Sequence, residues 1–499
     1  MHKSKLVRYL SVFTQKEIKD LSQIISLELF NNGKRPLKVK ALIQYLLLFY
    51  PGFEAENVTE EQVFEAVFPD ETFKRHKLRK LASESIKVIQ HFILFCTPNN
   101  QPGIHANMAQ VKFFQDRGMD QDFLSAFNRT EKMLETQTLR EQEKFYHRFV
   151  LETERIKYLL KTNDNKGDVN LPAAIRYLDQ FYSLTKMEYC SYLLTQNIST
   201  VLDSSQSMIL LDEVMETAEN HFLDIPVIAA YYHAFPLLKP GQGNMANYEN
   251  LKKVLSDKAD LISMAELKTI HNYMRNFLAN RYVNGDRDCV PEFFSLFKEQ
   301  IKFGTIYQDG HHIWASTLQS AVTLALWMKE HEWAMNFLQK HKNRIKSADD
   351  VEGVYQFNLA NIYFHQGKYQ EAFETLEKFH FREMFYNLAA RRLETKLYYE
   401  TQLELDVFEF RLKALKSFVY EQKKLLPTDK FDSNNNFSKV MFQVFTILRE
   451  DEERQFLKLS HKKSRTKRIH DLIEKVTQLK TIAEREWLLE KLREKLFEN

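Results

Sequence analysis

The chain has 499 residues, with 12 glycines, 11 prolines, 39 phenylalanines and 22 tyrosines, and hydrophobic residues make up 44% of it. So few helix breakers favour long helices, and the apolar content is ample for a core. A formal charge of only +3 excludes a polyanion binder that works through whole-chain charge. The charge is uneven, however: residues 1–95 and 452–499 each carry a net +4, which leaves −5 for the span between them.

Elements taken in chain order begin with a predicted N-terminal helical domain, 1–100. Thr14-x-x-Glu17 and Thr59-x-x-Gln62 are capping boxes and predict helices over about 14–31 and 59–68. Pro36 starts the helix between them, and Asp70 or Thr72 precedes a long one, "FKRHKLRKLASESIKVIQHFILF". Helices of this size make a compact bundle.

From about 120 to 425 the pattern is a succession of paired helices. "LREQEKFYHRFVLETERIKYLLK" pairs with "LPAAIRYLDQFYSLTKMEYCSYLLTQN", "MILLDEVMETAENHF" with "PVIAAYYHAF", and "MAELKTIHNYMRNFLANRYVNG" with "VPEFFSLFKEQIKFG". Turn signals such as "PGQGN" and "NGDRD" separate them.

The pattern is clearest over 312–420. Tyr355, Leu359, Ile362 and Tyr363 make one helical face, Gly367 suits a left-handed helix end, and Tyr369, Ala372, Phe373 and Leu376 make the next face. Trp333, Tyr369 and Leu405 are 36 residues apart, and each opens a short second helix after a longer first one. Leu359, Ala360, Tyr363, Gly367, Tyr369, Ala372 and Leu376 resemble the signature of the tetratricopeptide repeat (TPR), with Phe379 standing where that family has a small residue. The resemblance implies an all-α fold: a right-handed TPR-like α-solenoid of helical hairpins, with the N-terminal helical bundle before it and a C-terminal capping helix after it. Stretches such as "NYMRNFLANRYVNG", "NLANIYFHQGKYQEA" and "NNNFSKVMF" resemble helical-repeat proteins of similar length from bacteria of the Bacteroidota type. That likeness implies one architecture from end to end and no activity.

Residues 430–499 read as C-terminal helices with a basic linker at 458–470. Ile482, Leu489 and Leu496 recur every seven residues in "LKTIAEREWLLEKLREKLF". That helix either folds back as a cap, leaving a monomer, or pairs with a second copy as a dimer.

No catalytic, cofactor-binding or metal-binding constellation emerges, so no cofactor and no enzymatic activity are expected. "KPGQGN" lacks the end of a phosphate loop, HExxH and GxSxG are missing, and His311 and His312 read as the start of a helix. Cys96, Cys190 and Cys289 are widely spaced, which fits a reducing compartment. No transmembrane run or leader is apparent, and a cytoplasmic location with no membrane partner is expected.

Surface then carries the functional expectation, a non-enzymatic scaffold that binds a peptide or protein segment on the concave face of the solenoid. Asn358 and Asn361 lie on a first helix, and the TPR resemblance places Asn361 where some members hold a peptide carboxylate. The family's cationic partner is not at the matching place one repeat on, where Leu397 stands. The alternative is a nucleic-acid-associated regulator. Its candidate phosphate contacts are Lys74, Arg75, Lys77, Arg79 and Lys80 near one end and Lys462, Lys463, Arg465, Lys467 and Arg468 near the other. A helix carrying Phe-Pro followed by a basic helix is similar to the winged-helix part of bacterial regulators that join DNA binding to TPR arrays, without the strands of a wing.

Overall fold

The computed structural model describes residues 1–27, 35–54, 56, 58–100, 103–136, 140–162, 171–195, 208–239, 241, 243–346, 350–379, 381, 384–401, 405–457 and 463–497. Those residues are all-α, with 23 α-helices and one two-residue parallel pairing of Ile313–Trp314 with Ile345–Lys346. The chain divides into two compact units, Met1–Tyr232 and His233–Asn499. The division falls inside the predicted 120–425 array.

The first unit opens with α1 (Lys5–Ser11), α2 (Gln15–Ile24), α3 (Pro36–Leu47), α4 (Glu60–Val67) and α5 (Arg75–Asn100). Both predicted capping boxes form: Thr14 with Glu17 starts α2, Thr59 with Gln62 starts α4, and Pro36 is the first residue of α3. The predicted extension of α2 to residue 31 runs into residues outside the description. Leu6, Leu10, Leu42, Phe64, Leu81 and Phe92 are fully buried in one apolar core that the five helices share. A second core, built on Val111, Phe123, Phe127, Leu134 and Leu151, lies among α6 (Ile104–Arg117), α7 (Asp120–Thr136) and α8 (Glu141–Thr162). Helix α9 (Leu171–Thr195) packs along α8 as the predicted pair, and α10 (Leu211–His221) packs on α9. Helix α11 (Pro226–Leu238) spans the division.

The second unit continues through α12 (Met245–Lys258), α13 (Met264–Val283), α14 (Val290–Phe303), α15 (Ala315–Trp327), α16 (His331–His341), α17 (Val351–His365), α18 (Tyr369–Glu377), α19 (Met384–Thr401), α20 (Leu405–Glu421), α21 (Thr428–Phe456), α22 (Lys463–Gln478) and α23 (Arg485–Phe497). The three predicted hairpins are present as α15–α16, α17–α18 and α19–α20. First helices pack on first helices, α15 on α17 and α17 on α19, and each second helix also touches the next first helix.

Sequence explains this division of labour. Val354, Phe357, Asn358, Ala360, Ile362 and Phe364 are buried around several sides of α17, because it has neighbours on several sides. In α18 only Ala372, Phe373 and Leu376 are buried, a single stripe with water on the other side.

Two of the hairpin turns share one geometry. After α17, Lys368 N–H donates to Tyr363 O at 2.9 Å and Gly367 has φ +73°. After α15, Glu330 N–H donates to Ala325 O at 2.8 Å, but the left-handed position is Lys329, with φ +58°. His311 and His312 do not start a helix. Asp309 accepts their backbone N–H groups and pairs with the His312 ring at 2.8 Å, which holds the two residues in the loop before Ile313.

His271 on α13 is fully buried, with Nδ1 2.7 Å from Thr305 Oγ1 and Nε2 4.0 Å from Glu299. Burial, with Arg275 adding to it, pushes its imidazole down from 6.5 to about 4.

Two outcomes follow for the second unit. Lys329→Gly removes left-handed strain and is expected to stabilise it by about 1 kcal/mol, whereas Gly367→Ala adds such strain and costs about as much; urea denaturation followed by circular dichroism reads both. His271 must stay neutral in the folded state, so the unfolded chain takes up its proton first. Stability is therefore expected to fall as pH drops from 6.5 towards about 4, by up to about 3 kcal/mol. Thermal unfolding across that range, with His271→Gln flattening the slope, checks the sign.

Candidate functional site: the segment around the Lys396–Glu484 ion pair

Between α22 and α23 the chain runs through Leu479–Glu484 without helix or strand. Side chains and backbone of α21, together with Arg485, hold this stretch. Asn436 Nδ2 donates to Thr481 O at 2.8 Å, and Ala483 N–H donates to Ser433 O at 3.1 Å. Arg485 donates to the carbonyls of Val476 and Thr477 at 2.8 and 2.9 Å, and to that of Leu479. In doing so it satisfies carbonyls that the end of α22 leaves open.

Glu484 is the centre of the site. Its backbone is left-handed, with φ +55°, a conformation that costs a non-glycine residue roughly 1–2 kcal/mol. Its carboxylate meets Lys396 Nζ at 2.8 Å and Arg392 Nε at 3.4 Å. Arg392 also donates to Asn434 Oδ1 at 2.7 Å, and Asn434 is fixed in turn by Lys430 O at 2.7 Å.

The Lys396 side chain is 5% exposed and that of Glu484 27%. The Lys396 ammonium lies 4.5 Å from the Phe364 ring and 5.8 Å from the Trp487 ring. Burial alone would raise the Glu484 carboxyl, but the charges of Lys396 and Arg392 outweigh it and hold the group at about 2. The pair is therefore intact above pH 4.5 and is lost only as pH falls towards about 2.

Trp487, one turn on, sets its ring edge-on to Tyr399 at 5.2 Å and donates from Nε1 to Glu400 at 2.8 Å. Lys491 closes that side on Glu400 at 3.2 Å. At the other side Glu486 reaches Arg287 at 3.7 Å, and the Arg287 guanidinium lies over Tyr282 and Trp327. Thus α13, α15, α17 and α19 each contribute through a residue at or near the C-terminal end of the helix, respectively Tyr282, Trp327, Phe364, and Lys396 with Tyr399.

The residues singled out in the sequence lie elsewhere. Asn358 is buried and donates to Val354 O at 2.7 Å, so it faces no open groove. Asn361 is half-buried and takes no part in this cluster. At the N-terminal basic helix, Arg75 is paired with Glu60 at 2.6 Å and Lys77 with Glu71, while Lys74, Arg79 and Lys80 are exposed.

At the C-terminal run the predicted linker is shorter than expected, because α22 begins at Lys463. Lys462 lies outside the described residues, as does the side chain of Lys463. Arg465 pairs with Asp451 at 2.9 Å and donates to Lys495 O, and Arg468 pairs with Glu450 at 2.7 Å. Lys467 is exposed. The heptad face is also used within the chain: Ile482 lies before α23, and it is buried together with Leu489. Neither is open to a second copy.

Sequence reasoning missed Glu484, Lys396 and Trp487. The nearest signal was the register of the repeats, which pointed to Leu397, one residue from the lysine that binds a carboxylate. Among the described residues no group of three or more His, Cys, Asp or Glu is placed to hold a metal. No described helix is long and apolar enough to cross a membrane. Cys190 and Cys289 are buried free thiols. Compared with known proteins, the chain matches no family model and no curated protein.

A double-mutant cycle tests the central pair. Glu484→Gln alone leaves a buried ammonium without its full counter-charge and is expected to destabilise the second unit by about 3 kcal/mol, while adding Lys396→Met recovers most of the loss. Additive losses in denaturant titrations would count against a coupled pair.

Proposed function

We propose that this chain is a non-enzymatic scaffold whose hairpins form a TPR-like α-solenoid and bind a peptide or protein segment of a partner. The observation that carries the reading is the seating of residues 479–484: a stretch of irregular backbone is held by α21 through Asn436 and Ser433 and by the Lys396 side chain of α19. Lys396 and Arg392 come from α19, a first helix, and in a TPR-like solenoid first helices line the concave face. The other expected property of such arrays, specificity residing in side chains on a fixed helical frame, is met by Lys396, Arg392 and Tyr399. The regulator reading has less support. Arg75, Lys77, Arg465 and Arg468 already face carboxylates within the chain, so fewer cations remain for phosphate.

A pull-down of the tagged full-length chain from its native lysate, with and without nuclease, tests the choice. A small set of proteins is expected to survive nuclease and to shrink when Trp327, which is 40% exposed, becomes alanine. Recovery dominated by nucleic acid, lost with nuclease and with Lys74, Arg79 and Lys80 reversed to glutamate, would overturn the scaffold in favour of the regulator.

A further inference from the structure

We infer that the site around Lys396 is a docking site for an acidic–aromatic segment of a partner protein, a carboxylate three residues before an aromatic ring, and that Glu484–Trp487 is its resident intramolecular occupant. The inference rests on the scaffold reading and names its partner chemistry and its control.

A fixed cap has no need of these particular groups. Leu488, Leu489 and Leu492 already bury the apolar face of α23. Apolar residues in place of both Lys396 and Glu484 would serve a cap at least as well as the ion pair, since desolvating two charges offsets much of their attraction. Instead the site delivers a carboxylate to a buried ammonium from a left-handed, non-glycine backbone, and strain of this kind concentrates at functional sites and clamps.

The occupant is only partly helical: Glu484 ends the irregular stretch 479–484, and Trp487 lies in the first turn of α23. The rim pair Glu486–Arg287 is long, at 3.7 Å, and its side chains are 40% and 32% exposed, so it contributes little. Beyond Arg287, Trp327 is 40% exposed. A partner segment with a further acidic or aromatic residue would gain that ring, which the resident segment leaves partly uncovered. Chemistry of the pocket sets the order of recognition: Lys396 and Arg392 take the carboxylate, Tyr399 takes the ring edge, and Glu400 accepts from an indole N–H. A tethered occupant competes at a high effective concentration, so the site is closed until a partner displaces it or the segment is changed.

The test uses a labelled synthetic peptide of residues 478–490 and the full chain carrying Glu484→Gln and Trp487→Ala, with fluorescence anisotropy as the readout and circular dichroism as the check of folding. The peptide is expected to bind saturably. A peptide with Gln at position 484 is expected to bind at least about thirtyfold more weakly, as is the normal peptide to the unaltered chain.

If the double variant is incompletely helical, Glu486→Lys replaces it. That variant loosens only the rim and is expected to bind the peptide about threefold more tightly than the unaltered chain. No binding to a helical variant, equal binding of the Glu and Gln peptides, or an unchanged affinity in Glu486→Lys would each overturn the inference and leave 483–487 a structural cap. Nuclease-resistant capture that persists without peptide binding removes this site and leaves the scaffold. Loss of both removes the scaffold itself.

Discussion

A lysine ammonium cannot be taken out of water without a counter-charge, and Lys396 is almost wholly out of water. Phe364 of α17 and Trp487 of α23 offer it aromatic faces, but its own helix places no carboxylate on its ammonium. The ion pair at Lys396 therefore depends on the Glu484 carboxylate, which comes from almost ninety residues further along the chain. That single requirement fixes where the segment before α23 must lie. It also fixes the direction in which α23 leaves, and so which of its faces Leu488, Leu489 and Leu492 can bury.

Below that interaction is the older constraint on helical hairpins. A pair of helices with apolar residues on both sides cannot cover itself, and each hairpin borrows a surface from the next. The buried pattern of α17, spread around several sides, and the single stripe of α18 are two solutions to the same problem at different depths. An array of this kind always ends on an uncovered face. Here α21, α22 and α23 close it, and they do so with a polar clasp at the helix ends as well as with leucines.

The elements that local chemistry controls were legible in the sequence. Capping boxes at Thr14 and Thr59, the proline start of α3 and the left-handed Gly367 each depend on residues within a few positions, and each formed as its spacing predicts. The three hairpins over 312–420 were legible for the same reason, since their periodicity is local. What escaped was long-range or depended on three-dimensional pairing. Arg465 and Arg468 read as free cations until Asp451 and Glu450 on another helix neutralise them. Asn358 read as a groove residue because helical periodicity gives a face but not which neighbour covers it. Residues 479–484 read as helix because nothing in "LKTIAERE" announces that Glu484 adopts a left-handed backbone; no glycine or asparagine marks the spot.

That missing marker is itself informative. At Gly367 the turn needs only a backbone that can turn left, and glycine supplies it without strain. At position 484 a glycine would make the same turn more cheaply but would carry no carboxylate. Lys396 would then have no anion, and Arg392 would keep only Asn434. The residue is thus selected by its side chain against its backbone, a conflict of levels that folded proteins tolerate mainly where a contact has a use beyond holding the fold. Lys329 shows the opposite case. It has the same left-handed geometry, yet its side chain is exposed and makes no contact that the turn requires. Left-handed strain thus falls on an exposed side chain at 329 and on a buried ion pair at 484. The second kind ties the end of residues 479–484 to α19, through the one side chain that can reach Lys396 and Arg392 together.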